Sequence, residues 1–146
     1  HAPDGRGRPR SARHRGDQAA GDELCPALLP GEIVGVYDAE DDPDPGQLLA
    51  VVEHFMESDP QLGCVQGSLD FYNSDRNLLS RWFTMDYAGW FRVYLPGIAR
   101  SGLPIPLGGT TVFFRRRALE ASGCWDAHNV TEDADLGMRL SRAGFR

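Results

Sequence analysis

The chain has 146 residues, of which 41% are apolar and 25% charged, so one domain of ordinary size with a buried core is within its reach. A net charge of -6 argues against a nucleic-acid-binding protein. No run of about 18 apolar residues is long enough to cross a bilayer, and no signal-peptide pattern opens the chain. Cys25, Cys64 and Cys124 are odd in number and form no CxxC pair. They indicate neither a zinc site nor a disulfide framework, which suits a reducing compartment.

The predicted elements begin only after a leader. "HAPDGRGRPRSARHRG" carries five arginines and nothing fit for a core. Residues 1–29 are therefore expected to be a disordered or non-native leader, with a basic arm for nucleic acid or anionic lipid as the competing reading. "GEIVGVYD", Gly31 to Asp38, reads as a buried strand ending in an acid. After the turn-like "DDPDPG", Leu48, Val51, Val52, Phe55 and Met56 fall at helical spacing. "LGCVQGSLDFYN" reads as a second strand with an irregular centre. From Asn77 to Leu95 a stripe of Leu79, Phe83, Tyr87, Trp90 and Tyr94 predicts a long amphipathic helix facing the core, with a place at a membrane surface as the alternative. "TTVFFRR" follows as a strand and "RRALEAS" as a short helix. Leu136, Met138, Leu140 and Ala143 mark a last helix that Gly144 stops. Strands alternating with helices predict an α/β layer fold with its function on the loops at the strand ends.

Two acidic stretches carry the chemistry. In "VYDAEDDPDPG", Asp38 and Glu40 stand two apart at a strand end, and a period of two sends both carboxylates to one side. That pair would repel without a cation between them; a hard ion such as Mg2+ or Mn2+ takes one or two carboxylates together with diphosphate oxygens. A calcium loop does not fit, because Pro43 and Leu49 occupy the positions that need Gly and Glu. Asp42 or Asp44 as a helix cap, and a plain solvated loop, remain alternatives. In "VTEDADLGMRL", Asn129 and Glu132 resemble a capping box, and acids favour the positive end of a helix. A carboxylate there also suits a general base, if an acceptor hydroxyl comes within reach.

Taken in order, "VYDAED", "VQGSLDFYN", "PLGGTTVFFRRRALEASGCWD" and "NVTEDADLGMRLSRAGFR" resemble the family 2 glycosyltransferases, in particular bacterial membrane enzymes similar to cellulose and other β-glycan synthases. The resemblance implies a partial GT-A fold over residues 30–146, a mixed sheet flanked by helices, and inverting, metal-dependent transfer of a sugar from a nucleotide-diphosphate donor, a UDP-sugar, to a glycan. It implies that Asp38 with Glu40 or Asp41 holds Mg2+ or Mn2+ and the donor diphosphate. Asp133 would be the base, positioned by Thr131 and Glu132. Gly108, Gly109 and Thr110 would line the acceptor pocket, with Gln66 nearby and Trp125 either stacking on a sugar or filling core.

The sequence departs from the family in lacking the N-terminal nucleotide-binding half, the Gln-x-x-Arg-Trp motif and the transmembrane helices, and in having Cys124 where a second glycine is common. An internal piece, inactive alone, of an enzyme at the cytoplasmic face of a bacterial inner membrane is therefore expected. A different metal-dependent phosphoryl-group enzyme and a non-catalytic binding module are the rival readings.

Overall fold

A computed structural model describes residues 30–126 and 128–146; the basic leader lies outside the described residues. Three short strands make the sheet: β1 (Ile33–Val36), β2 (Cys64–Gln66) and β3 (Val112–Arg115), in the order β1-β3-β2. Val34 faces Phe114 and Val36 faces Val112 across one edge of β3, while Cys64 faces Phe114 and Gln66 faces Val112 across the other. The expected mixed sheet is thus corrected, because every bonded pair among the described residues is antiparallel. β1 and β2 run the same way, as a strand-helix-strand unit requires. β3 enters between them in the opposite sense.

The alternation of side chains along β3 divides the core. Val112 and Phe114 join Val34, Leu119, Leu136 and Leu140 on one face, whereas Phe113 meets Val51 and Phe55 on the other. Directly opposite Phe113 stands Gly35, where a Cβ would lie 2.9 Å from the phenyl ring. The missing side chain makes room for the aromatic.

Helix α1 (Gln47–Glu57) covers the Phe113 face, but only Val51 and Phe55 are buried. Leu48, Val52 and Met56 of the predicted stripe are exposed. Asp44 accepts from the Gly46 N–H at 2.7 Å in a local turn, and neither it nor Asp42 caps the helix with its side chain. The strand expected over Leu62–Asn73 shortens to β2.

The predicted long helix is present and runs further than expected. Helix α2 (Leu78–Gly89) starts with Asn77 capping the Ser80 N–H at 2.9 Å, widens to a π-helical turn over Trp90–Tyr94, and continues as α3 (Leu95–Arg100). Pro96 has no N–H and its ring would crowd the carbonyl four residues back; the wider turn, in which the Leu95 N–H reaches the Trp90 carbonyl, accommodates it. Of the rod's residues only Leu95 is buried, so the core-facing role expected for the stripe is not found.

Helices α4 (Arg116–Ala121) and α5 (Glu132–Arg142) cover the other face of the sheet. α5 buries Leu136, Gly137 and Leu140 and ends at Gly144 with φ +85°, as its sequence signals. Met138 is exposed. At Gly137 a Cβ would sit 2.1 Å from the Ile105 carbonyl oxygen, so this helix lies directly on the chain leading into the Gly108 loop.

Gly137→Ala is expected to destabilise the fold by about 3 kcal/mol, because backbone must move to admit the methyl. Gly97→Ala, whose Cβ meets nothing within 4 Å, should instead gain about 0.5–1 kcal/mol of helix stability. Urea unfolding of both variants checks the contrast. Equal effects at the two sites would contradict this packing of α5.

Candidate active site

β1 ends at Val36, and the chain folds into a tight acidic turn. The Asp41 N–H donates to the Asp38 carbonyl at 3.1 Å, and the Asp38 N–H donates to Asp41 Oδ2 at 2.9 Å. Asp38 and Glu40 therefore do not continue the strand alternation on which the period-of-two argument depended. Glu40 is exposed in the turn, while Asp41 folds back. Beside them the Tyr37 ring meets Phe113 edge-on at 5.6 Å and its hydroxyl donates to Gln47 Oε1 at 2.6 Å. Burial, and secondarily the Asp41 charge, raise the Tyr37 hydroxyl above its ordinary pKa.

The glycine-rich loop before β3 closes on that turn. Thr110 Oγ1 accepts from the Asp38 N–H at 3.0 Å and donates to Asp41 Oδ2. Gln66 clamps the same loop from the other side: its Oε1 accepts from the Gly108 N–H at 2.8 Å, and its Nε2 donates to the Thr110 carbonyl at 3.0 Å. With both ends of its amide engaged, Gln66 acts on the site through the loop. Thr111 adopts φ +52°, which a β-branched residue rarely does. Its methyl would lie 2.4 Å from a Cβ on Gly67, so residue 67 has to be glycine while Thr111 keeps that turn.

The third segment is the start of α5. The Asp133 carboxylate rests against Gly109, where a Cβ would be 2.9 Å from Oδ2, and its Oδ1 accepts from the Trp125 indole N–H at 3.2 Å. Trp125 is half-buried and packs edge-on to Phe114, with centroids 5.3 Å apart. It packs against the core and adds a hydrogen bond to Asp133 that the sequence did not reveal. The capping box does not form. Instead Asn129 Oδ1 accepts from the Thr131 N–H at 3.0 Å, and Thr131, the N-cap, makes no side-chain cap. No hydrogen bond joins Thr131 or Glu132 to the Asp133 carboxylate among the described residues. Arg139 is a residue that sequence reasoning missed. It pairs with Asp135 at 2.7 Å and donates to the Cys124 carbonyl at 2.6 Å, pinning the turn that carries Trp125 to α5. Its i,i+4 spacing from Asp135 was the available signal.

Desolvation raises the Asp133 pKa above the usual carboxylate value; the Trp125 hydrogen bond opposes this, and the charges of Glu132 and Asp38 reinforce it. Asp38 is thus close enough to be felt electrostatically at Asp133, which joins the acidic turn and the helix start into one site. For a metal, Asp38 and Asp41 offer hard oxygen donors, and no described residue hydrogen-bonds the Asp38 carboxylate. No group of three or more His, Cys, Asp or Glu among the described residues forms an all-protein cage. Two carboxylates fit an ion such as Mg2+ that completes its shell with water and phosphate oxygens. A cleft of about 510 Å³ lies behind this arrangement, between β2, α3 and the end of α5; Gln66 lines it, but Asp38, Asp41 and Asp133 do not.

An α/β sheet with an acidic turn at one strand end, a glycine loop and a partly buried carboxylate at a helix start makes a frame suited to group transfer. Residues 33–146 match Glycosyl transferase family group 2, and the chain belongs to that family. It is 30% identical over 113 residues to a probable glucomannan 4-beta-mannosyltransferase 3 of Oryza sativa subsp. japonica, a match covering 77% of this chain and 20% of that one. It is 29% identical over 115 residues to a probable glucomannan 4-beta-mannosyltransferase 1 of Arabidopsis thaliana, covering 79% of this chain and 21% of the relative. The chain thus spans about a fifth of the length of these curated relatives.

Because the folded-state pKa of Asp133 is raised, its ionisation opposes folding. Stability relative to an uncharged residue is full below the ordinary carboxylate pKa and is lost as pH rises through the folded value. Asp133→Asn should therefore melt higher than the parent chain at neutral pH and converge with it in acid. Melting curves across pH test this, and a variant less stable at neutral pH would contradict it.

Proposed function

We propose that the chain is the acceptor-side part of a GT-A type catalytic domain that transfers a sugar, with inversion, from a nucleotide-diphosphate donor to a hydroxyl of a glycan. The observation that carries this reading is the placement of Asp133: partly buried, held by Trp125, seated against Gly109, and within electrostatic range of Asp38. Inverting transfer needs a base on the acceptor side and compensation of charge on the departing diphosphate. The two acidic segments supply one each.

In this reading Asp133 takes the acceptor hydroxyl proton as the oxygen bonds to the anomeric carbon. The bond from that carbon to the diphosphate oxygen breaks, and the nucleoside diphosphate leaves with the electron pair. The raised pKa makes Asp133 a stronger base than an ordinary carboxylate. Thr131 and Glu132 stand at the start of the helix that carries it, and the Glu132 charge adds to its basicity. Gly108, Gly109 and Thr110 give the acceptor a floor without bulky side chains near the base. Asp38 and Asp41 would hold Mg2+ or Mn2+, which supplies neutralisation of the diphosphate, with exposed Glu40 at the rim of the turn.

The donor is read as a UDP-sugar, and the parent as a bacterial enzyme anchored in the inner membrane with this domain on its cytoplasmic face; both extend the resemblance of the motif order. The relatives' names make mannose the first sugar to assay, against UDP- and GDP-linked donors alike.

Asp133→Asn in the full-length enzyme should lower turnover by about 10²–10⁴-fold while donor affinity stays within about twofold. Near-normal turnover would remove Asp133 as the base. Asp38→Asn should weaken donor binding only in the presence of Mg2+ or Mn2+, followed by calorimetric titration with and without the ion. Unchanged binding in both conditions would remove the acidic turn from the donor site, and release of phosphate without a glycoside would point to phosphoryl transfer instead.

A further inference from the structure

The Asp133 carboxylate has one oxygen engaged and one open. Among the described residues the Trp125 indole N–H is the one hydrogen-bond donor to it, and it reaches Oδ1 at 3.2 Å. Oδ2 faces the glycine loop, where a Cβ on Gly109 would lie 2.9 Å away. The two oxygens are therefore inequivalent. One is committed to the indole, and the other keeps its lone pairs for a group that enters beside Gly109.

The indole is itself held from several directions. Its ring stands edge-on to Phe114, with centroids 5.3 Å apart and planes at 87°, and Phe114 is fully buried on the central strand β3. The backbone reaches it through two left-handed residues, Gly123 at φ +79° and Cys124 at φ +55°. Arg139 takes the carbonyls of Ser122 and Cys124, while its Nε pairs with Asp135 at 2.7 Å. Arg139, Asp135 and Asp133 all belong to α5, so the turn that carries the donor is tied to the helix that carries the acceptor. Packing on Phe114 asks only for an aromatic ring, yet the one polar atom of this side chain is directed at the carboxylate.

We propose that Trp125 is the positioning residue for the base: its N–H holds Asp133 Oδ1, so that Oδ2 is the oxygen that takes the acceptor proton. The assignment rests on the reading of Asp133 as the base of an inverting transfer. As the acceptor O–H bond breaks, its proton passes to Oδ2 and its electron pair forms the bond to the anomeric carbon. The bond from that carbon to the diphosphate breaks, and its pair leaves with the nucleoside diphosphate. Without the indole, the carboxylate turns about its Cβ–Cγ bond, a torsion with broad minima, and Oδ2 spends less time in line with the hydroxyl. Donor binding does not involve the indole.

The test is steady-state kinetics of the full-length enzyme carrying Trp125→Phe, and of the enzyme with Trp125 replaced by benzothienylalanine, a bicycle of nearly the same shape with sulfur in place of the N–H. Both should lower kcat by about 10- to 100-fold, with the KM of donor and acceptor within about twofold of the parent. In the Asp133→Asn background, Trp125→Phe should cost nothing further, because it acts through that carboxylate. Three outcomes overturn the assignment and leave the base standing. They are parent-like turnover of the benzothienylalanine enzyme, a raised acceptor KM at unchanged kcat, which would make Trp125 a face on which a sugar stacks, and an equal cost of Trp125→Phe with and without Asp133, which would make its role structural. Near-normal turnover of Asp133→Asn alone would overturn the base and this assignment together.

Discussion

β3 is bonded along both edges and buried on both faces, and its fixed position is the constraint on which the rest of the structure depends. Val112, Phe113 and Phe114 lie one after another with almost no exposure, and fully burying such side chains is worth about 1.5–3 kcal/mol each. The loop that feeds this strand therefore has little freedom at its C-terminal end. Gln66 on β2 removes more by holding Gly108 and Thr110 at once, and Thr110 passes the constraint to the acidic turn through Asp38 and Asp41. A single anchored strand thus positions residues that are 72 apart in sequence.

The same loop sets the electrostatics at Asp133. Gly109 lets the carboxylate approach the backbone more closely than any side chain would permit, and that approach helps withdraw it from water. Withdrawal raises its pKa, as do Glu132 and Asp38, while the Trp125 N–H acts in the opposite direction. Burial and two neighbouring charges on one side and the indole hydrogen bond on the other thus act on the Asp133 pKa in balance. Arg139 supports the balance at one remove, since it fixes the carbonyls at Ser122 and Cys124 from which Trp125 projects.

Much of the fold was legible because it depends on local periodicity. The apolar run in "TTVFFRR", the helical spacing of Leu136 and Leu140 and the glycine stop at Gly144 each translate directly into structure. The errors share a cause: they assigned local patterns an outcome decided at long range. Asp38 and Glu40 looked like one face of a strand, but the strand had ended, and Asp41 rather than Glu40 was drawn in by Thr110. Asn129 and Glu132 had the spacing of a capping box, yet Asn129 was taken by Thr131 two residues on. The stripe from Leu79 to Tyr94 correctly announced a helix with an apolar face. Periodicity states that such a face exists and is silent on what covers it.

Cys124 shows how a departure from a family pattern becomes intelligible once the backbone is known. The residue adopts φ +55°, in the left-handed region that glycine occupies without cost, so a glycine expected here has a conformational reason. Gly123, immediately before it, has φ +79°. Two successive left-handed residues reverse the chain after α4 tightly enough to bring Trp125 over Phe114 and under Asp133. The side chain is buried in the core with Leu119 and Leu136, Arg139 holds its carbonyl, and the Cys124 sulfur is disulfide-bonded, which corrects the expectation of unpaired cysteines. Cysteine at this place thus keeps the geometry that places an indole N–H on the carboxylate.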